Sequence, residues 1–222
     1  MTTLAYSLDN ISFFYGSRRV LNIKSLNIPS GVVTAILGPN GSGKTTLLQL
    51  LSFVEQPSAG SISLFGERAG RANRLSFRKR IGYLMQKPYL FDMDVFENVA
   101  WALKLRGMDA KTVQSVCAQA LATVDLSGFE KRHARSLSGG EAQRVALARA
   151  LAINPDIFLF DEPASHLDTK SQSLINDIVI NLGESKDRTV LIITHDYSDI
   201  ARFVPNFIEL ESGSLVSSKI DS

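Results

Sequence analysis

The chain has 222 residues, 45% of them hydrophobic, with a formal net charge of +2 and a single cysteine. That length can bury a large core as one domain with an inserted lobe, and so mild a charge argues against nucleic acid as a partner. Cys117 alone excludes a disulfide framework and a thiolate metal cluster, which fits a reducing compartment, and reads as a small packing residue.

Strand signals dominate the first third: residues 4–14, 23–28, 32–37, 61–65 and 81–85 are rich in β-branched and apolar side chains, with turn residues between several of them. Helical periodicity follows over 96–106, 110–124 and 140–152. Strand and helix then alternate through 157–160, 169–181, 190–194 and 198–203, and a terminal hairpin turns at Ser212-Gly213. The fold class expected is α/β: a mostly parallel sheet flanked by helices, an N-terminal antiparallel β subdomain and an inserted helical subdomain. The core would comprise 1–86 and 153–222, the helical part about 87–152. No apolar run approaches the ~18 residues that span a bilayer, and Asp9 and Asn10 interrupt any secretion-type leader. The reading is a soluble polypeptide whose membrane role, if it has one, comes through a partner.

Two glycine-rich turns carry the chemistry. The first, Gly38-Pro39-Asn40-Gly41-Ser42-Gly43-Lys44-Thr45, follows an apolar strand and runs into a buried helix read over Lys44, Thr45, Thr46 and on to Leu51. Strand, loop and helix form the context in which this spacing cradles phosphates. Glycines let backbone N–H groups close on phosphate oxygens, and the helix N-terminus adds partial positive charge. Lys44 can then reach the β- and γ-phosphates of ATP, and the Thr45 hydroxyl can ligate Mg²⁺. The plain alternative is a glycine turn before an ordinary helix. The second turn, Leu137-Ser138-Gly139-Gly140-Glu141, opens another helix and offers a second anion-binding nest.

Three more strand ends complete the candidate site. The run 157–160 ends in Asp161 and Glu162, where ligands sit in parallel sheets. Asp161 would hold Mg²⁺, and Glu162 would polarise an attacking water; the bland reading is a strand-end turn. Gln86 ends strand 81–85 and could touch both Mg²⁺ and water. His195 ends strand 190–194, placed to hydrogen-bond a γ-phosphate, although a lone histidine is more often structural. His133 and His166 have weaker cases. The basic run Arg68 to Arg80 is a phosphate or headgroup contact or, more plainly, a solvated face.

In this order and spacing, Tyr15, the 38–45 loop, Gln86, the 137–141 turn, Asp161-Glu162, Ser165-His166-Leu167-Asp168 and His195 resemble the ATP-binding cassette family over nearly the whole chain. The resemblance implies that Tyr15 stacks on adenine. It also implies a head-to-tail dimer with a second copy or a homologous subunit. Each ATP would lie between one loop and the other subunit's Ser138, Gly139 and Gly140, with Asp168 at the interface. His166 departs from the small residue usual at its position. Some of the family's sugar importers carry a C-terminal regulatory domain, which is not expected here.

The function expected is the ATP-hydrolysing motor of a membrane transporter at the cytoplasmic face. It would serve transmembrane permease subunits and an extracytoplasmic solute-binding protein, with a lean toward import of tungstate or another oxyanion. Tyr89, Phe91, Phe96 and Trp101 would form a groove for a short helix of the permease or, more plainly, pack the lobe. The rival is an ATP-dependent dimerisation module of a signalling, cell-division or lipoprotein-extracting complex.

Overall fold

The computed structural model describes residues 3–165, 167–194 and 204–220, and two sheets organise them. In the first, β1 (Leu4–Tyr15) and β2 (Arg18–Pro29) form a long antiparallel hairpin, with β4 (Ala59–Leu64) and β5 (Glu67–Arg68) beyond it in the order β2-β1-β4-β5. One face is buried: Tyr6, Leu8, Ile11 and Phe13 point inward from β1 and Leu21, Ile23, Leu26 and Ile28 from β2. The inward residues of β1 skip phase between Leu8 and Ile11, where Asn10 adopts a left-handed φ of 49° and the register against β4 slips. This is how a bulge re-aims the far end of a strand.

The second sheet has the order β10-β9-β3-β8-β7-β6. Its members are β3 (Val33–Leu37), β6 (Ile81–Leu84), β7 (Ile157–Asp161), β8 (Thr189–Ile193), β9 (Asn206–Glu211) and β10 (Ser214–Lys219). All neighbours are parallel except β9 and β10, which form a hairpin. Its turn at Ser212 (φ 48°) and Gly213 (φ 79°) has the two positive φ values of a tight hairpin connection. The central strands are buried on both faces, which explains their unbroken apolar runs. In β7, Ile157 and Leu159 join one core cluster while Phe158 and Phe160 join the other.

Helix α1 (Lys44–Leu51) lies between the two sheets, burying Leu47, Leu48, Leu50 and Leu51 in the first core. A five-residue helix, α2 (Arg74–Arg78), is anchored there by Phe77, whose ring meets Phe53 at 5.2 Å. The other core takes α3 (Val95–Leu105), α4 (Ala110–Thr123), α5 (Gly139–Ala152) and α6 (Thr169–Glu184). Their N-termini are set by side chains: Asp94, Asp109 and Asp168 each accept a backbone N–H three residues on, and Ser138 does so within a reciprocal capping box with Glu141. The elements expected at 4–14, 32–37, 61–65, 81–85, 96–106, 110–124, 140–152, 157–160 and 190–194 are all present. β2 begins five residues earlier than the strand at 23–28, and α6 runs three residues past 169–181. The helix expected at 198–203 lies outside the described residues.

The registers bring one edge of the second sheet into line. Leu84 pairs with Phe160, Asp161 with Ile193, and Ile36 with Ile193, so the C-terminal ends of β6, β7, β8 and β3 are level. Gly38, Gln86 and Glu162 all leave the sheet along that edge.

Candidate active site

The loop from Gly38 to Gly43 is held by its surroundings. Gly38 has φ 135°, and a Cβ there would stand 2.1 Å from the Leu210 carbonyl oxygen of β9. Gly43 has φ 102° and caps α1, with Leu21 of β2 only 2.7 Å from where a Cβ would be. Neither position admits a side chain. From the other side, the Gly213 N–H of the β9–β10 turn donates to the Ser42 carbonyl at 3.0 Å.

Lys44 curls back onto this loop and donates from Nζ to the Gly38 carbonyl at 2.7 Å and the Pro39 carbonyl at 3.0 Å. Burial pushes its pKa down, and the carboxylates of Glu162 and Asp161 push it back up. Two weak carbonyl partners for a buried ammonium leave it ready to exchange them for phosphate oxygens. The buried Ser42 hydroxyl has no hydrogen-bond partner among the described residues. Such an orphan inside a glycine cradle fits a ligand rich in acceptors.

Asp161, at the end of β7, is buried and accepts from the Thr45 hydroxyl at 3.3 Å. Burial is the main reason that its pKa is raised; the Thr45 donor and Lys44 oppose the rise, and Glu162 adds to it. Thr45 and Asp161 thus offer hard oxygen donors beside the cradle, a set that suits Mg²⁺ together with phosphate oxygens. Glu162 follows in a left-handed conformation, φ 50°, which costs a side chain about 1 kcal/mol or more. Its N–H donates to the Ile193 carbonyl at 3.1 Å, and its own carbonyl accepts from the N–H and hydroxyl of Ser165. So clamped, its carboxylate accepts from the Gln86 amide at 2.8 Å.

Tyr15 is half exposed, with the Phe13 ring edge-on at 4.9 Å and its hydroxyl donating to Gln49 at 2.9 Å. Tyr15, Asn40, Gly41, Gly43, Lys44, Thr45, Thr46, Gln86 and Glu162 line a single open cleft of about 670 Å³. Arg18, Val20 and Ser165 line it too; Ser165 belongs to the 165–168 stretch of the family pattern, whereas nothing in the sequence singled out Arg18 or Val20. Arg18 arrives because the β1–β2 hairpin pairs it with Tyr15. Gly38, Pro39, Ser42 and Asp161 stand behind this lining.

The second turn is elsewhere. Gly139 and Gly140 line a smaller neighbouring cleft of about 350 Å³ with Lys87, Pro88, Gln143 and Leu167; Gln86 and Ser165 are common to both clefts. Ser138 caps α5, and Glu141 is fixed by the Ser138 N–H and by Arg132 at 2.9 Å, contacts that hold its pKa below the usual carboxylate range. Asp168 caps α6 and accepts from both the N–H and hydroxyl of Ser171, and these two bonds depress its pKa. The guanidinium of Arg144 on α5 donates to the same hydroxyl, which ties Asp168 to the helix that the second turn opens. His166 and His195 lie outside the described residues. His133 caps the short turn Ala134–Ser136 and faces Asp92, a structural role.

The aromatic residues of the lobe separate. Tyr89, Phe91 and Trp101 cluster, with ring centroids 5.7 and 5.5 Å apart, and Tyr89 and Trp101 are substantially exposed. Phe96 is not with them. It lines an apolar cleft with Met108 and Val113, because residue 96 sits on a different face of α3 from Trp101.

A family described as "ABC transporter" matches residues 21–165. The tungstate uptake system ATP-binding protein TupC of Peptoclostridium acidaminophilum is 37% identical over 207 residues, 93% of this chain and 94% of that protein. The Fe(3+) ions import ATP-binding protein FbpC of Escherichia coli strain K12 is 38% identical over 94% of this chain, which spans 60% of its length. Among solved structures, the dimeric structure of MJ0796, a bacterial ABC transporter cassette, superposes with a TM-score of 0.88 at 30% identity, covering 97% of this chain and 98% of the other.

Proposed function

Because the chain belongs to the ABC transporter family, we propose that it is the ATP-hydrolysing motor subunit of a membrane importer for a small solute, working as a head-to-tail dimer. One observation carries the proposal. Lys44, Thr45, Gln86 and Glu162 converge in one cleft, while Ser138, Gly139 and Gly140, a preorganised helix N-terminus, lie outside it. The cleft therefore supplies half of a phosphate site, and a second subunit, identical or homologous, supplies the other half through its own turn.

ATP stacks its base on Tyr15 and lays its phosphates along the 38–45 loop. There Lys44 exchanges the Gly38 and Pro39 carbonyls for β- and γ-phosphate oxygens, and the Ser42 hydroxyl gains the acceptor it lacks. Mg²⁺, held by Thr45, Gln86 and Asp161, neutralises phosphate charge when bound. Glu162 takes a proton from the attacking water and Gln86 orients it, while His195 is assigned a hydrogen bond to the γ-phosphate. Binding closes the dimer because the γ-phosphate contacts both halves; hydrolysis removes that contact and the dimer opens. The opening is passed through Gln86 to Lys87, Pro88 and the exposed Tyr89–Phe91–Trp101 cluster, which is assigned to the permease. Among the described residues no helix is long and apolar enough to cross a membrane, and we place the chain peripherally at the cytoplasmic face. The likeness to TupC favours tungstate or another oxyanion, delivered by an extracytoplasmic binding protein.

The test is Ser138→Ala combined with sizing. ATP binding to single chains should survive, and cooperative turnover should vanish. A monomer that hydrolyses ATP at the full rate sinks the dimer. The membrane protein that copurifies, reconstituted with the subunit, decides the solute by uptake of tungstate against sulfate.

A further inference from the structure

The basic run from Arg68 to Arg80 is largely solvent-exposed, with Arg74 half-buried, yet four of its arginines converge. Arg68, Arg71, Arg74 and Arg78 line one cleft of about 710 Å³ between the antiparallel sheet and α2, at the N-terminal end of β6 and so at the opposite end of that strand from Gln86. Glu55 is the one carboxylate in its lining. None of the four guanidiniums forms an ion pair among the described residues, whereas Arg80, just outside, pairs with Asp156 at 2.5 Å.

The cleft is also held in shape. Arg78 is fixed by the Phe53 carbonyl, which accepts from its Nε at 2.9 Å and its Nη2 at 2.5 Å. These bonds fix the cation without neutralising it. Asn73 clamps the turn that carries Arg71, accepting from the Gly70 N–H at 2.7 Å and donating to the Arg68 carbonyl at 3.0 Å. Arg74 and Arg78 stand four apart on α2 and project from one side of it. Four arginines thus stand against Glu55 in the lining and Glu67, which accepts from Asn73 at 2.7 Å beside it; the excess of like charge is repulsive, and an unliganded surface gains nothing from gathering it.

From this arrangement we infer that the cleft is an anion-binding site for a phosphate or comparable tetrahedral oxyanion, separate from the nucleotide cleft. Guanidiniums bind such groups with paired, charge-assisted hydrogen bonds. The anion is either free in solution or the headgroup of an acidic lipid. Leu75, 66% exposed in the lining, and Val54, 54% exposed beside Arg78, give the second source an apolar rim.

The experiment compares wild type, R71A/R74A and a charge-matched control, K24A/K111A, whose lysines lie elsewhere on the surface. One arm titrates inorganic phosphate by calorimetry at fixed ionic strength; the 38–45 loop contributes equally to all three proteins, so any difference belongs to the cleft. The other arm sediments the proteins with phosphatidylcholine vesicles, with and without phosphatidylglycerol. Basal ATP hydrolysis and thermal unfolding, expected to be unchanged in R71A/R74A, show that the variant is folded. The expected result is a loss of at least about tenfold in anion affinity in R71A/R74A only. Loss in the phosphate arm alone identifies a free anion, and loss in the vesicle arm identifies a lipid. Equal behaviour of wild type and R71A/R74A in both arms overturns the inference, as does an equal loss in K24A/K111A.

Discussion

Glu162→Gln separates binding from chemistry. The replacement has the same length, and the left-handed backbone at φ 50° is as unfavourable for Gln as for Glu, so that cost cancels. Its side-chain oxygen can still accept from Gln86, whose amide lies 2.8 Å from the carboxylate. What disappears is a base and a negative charge. General-base help is worth about 10²–10⁴ in rate, which at 1.36 kcal/mol per tenfold is about 2.7–5.4 kcal/mol of barrier. The lost charge acts on binding in the other direction. It had opposed a phosphate anion across the cleft, and desolvation, the largest influence on Lys44, is left with Asp161 as the remaining counterweight. Affinity for ATP should therefore hold or rise while turnover collapses. Single-turnover phosphate release gives the rate and a fluorescent ATP analogue gives the affinity. A variant that folds, binds and hydrolyses within about threefold of wild type removes Glu162 from the role of base.

Lys44→Ala should cost about ten- to a hundredfold in ATP affinity, since it removes a charged donor to the phosphates; nucleotide titration checks this, and unchanged affinity refutes it. Asp161 keeps its proton to a higher pH in the folded chain than in the unfolded one, so its ionisation lowers stability as pH climbs from about 3.9 through the raised value, and the loss is complete above it. Asp161→Asn should thus be more stable than wild type by roughly 1 kcal/mol at neutral pH, with the gap closing on acidification and Mg²⁺-dependent hydrolysis gone. Thermal melts across pH test the sign, and a gap that widens toward acid contradicts it. Gly38→Ala should destabilise by at least about 2 kcal/mol in denaturant unfolding, because its Cβ meets the Leu210 carbonyl oxygen at 2.1 Å in a backbone region that alanine avoids.

Much of the fold was legible in the sequence because the physics is local. A strand buried on both faces must be apolar throughout, as 157–160 is, and helices begin where Asp94, Asp109, Ser138 and Asp168 can cap them. What escaped depends on distant pairing. β2 starts at Arg18, hidden behind two exposed arginines, because its partner strand fixes its length. α2 has too few residues to show a period and exists because Phe77 finds Phe53. Arg18 and Val20 enter the cleft through the first hairpin, and no motif announces either. Phe96 and Trp101 look alike in the sequence, yet their five-residue separation on α3 turns them to different neighbours.

The β9–β10 turn has a bearing on how the protein is made. β3 sits between β8 and β9, and the phosphate loop behind it leans on the Leu210 carbonyl and on the N–H of Gly213. A nascent chain emerging from the ribosome exposes Gly38 to Lys44 first, and the backing for that loop, in β9 and the turn after it, is synthesised much later. Premature termination before β9 would leave every side chain proposed to act in catalysis present and the cradle without its rear wall. Such fragments should be inert and prone to capture by chaperones.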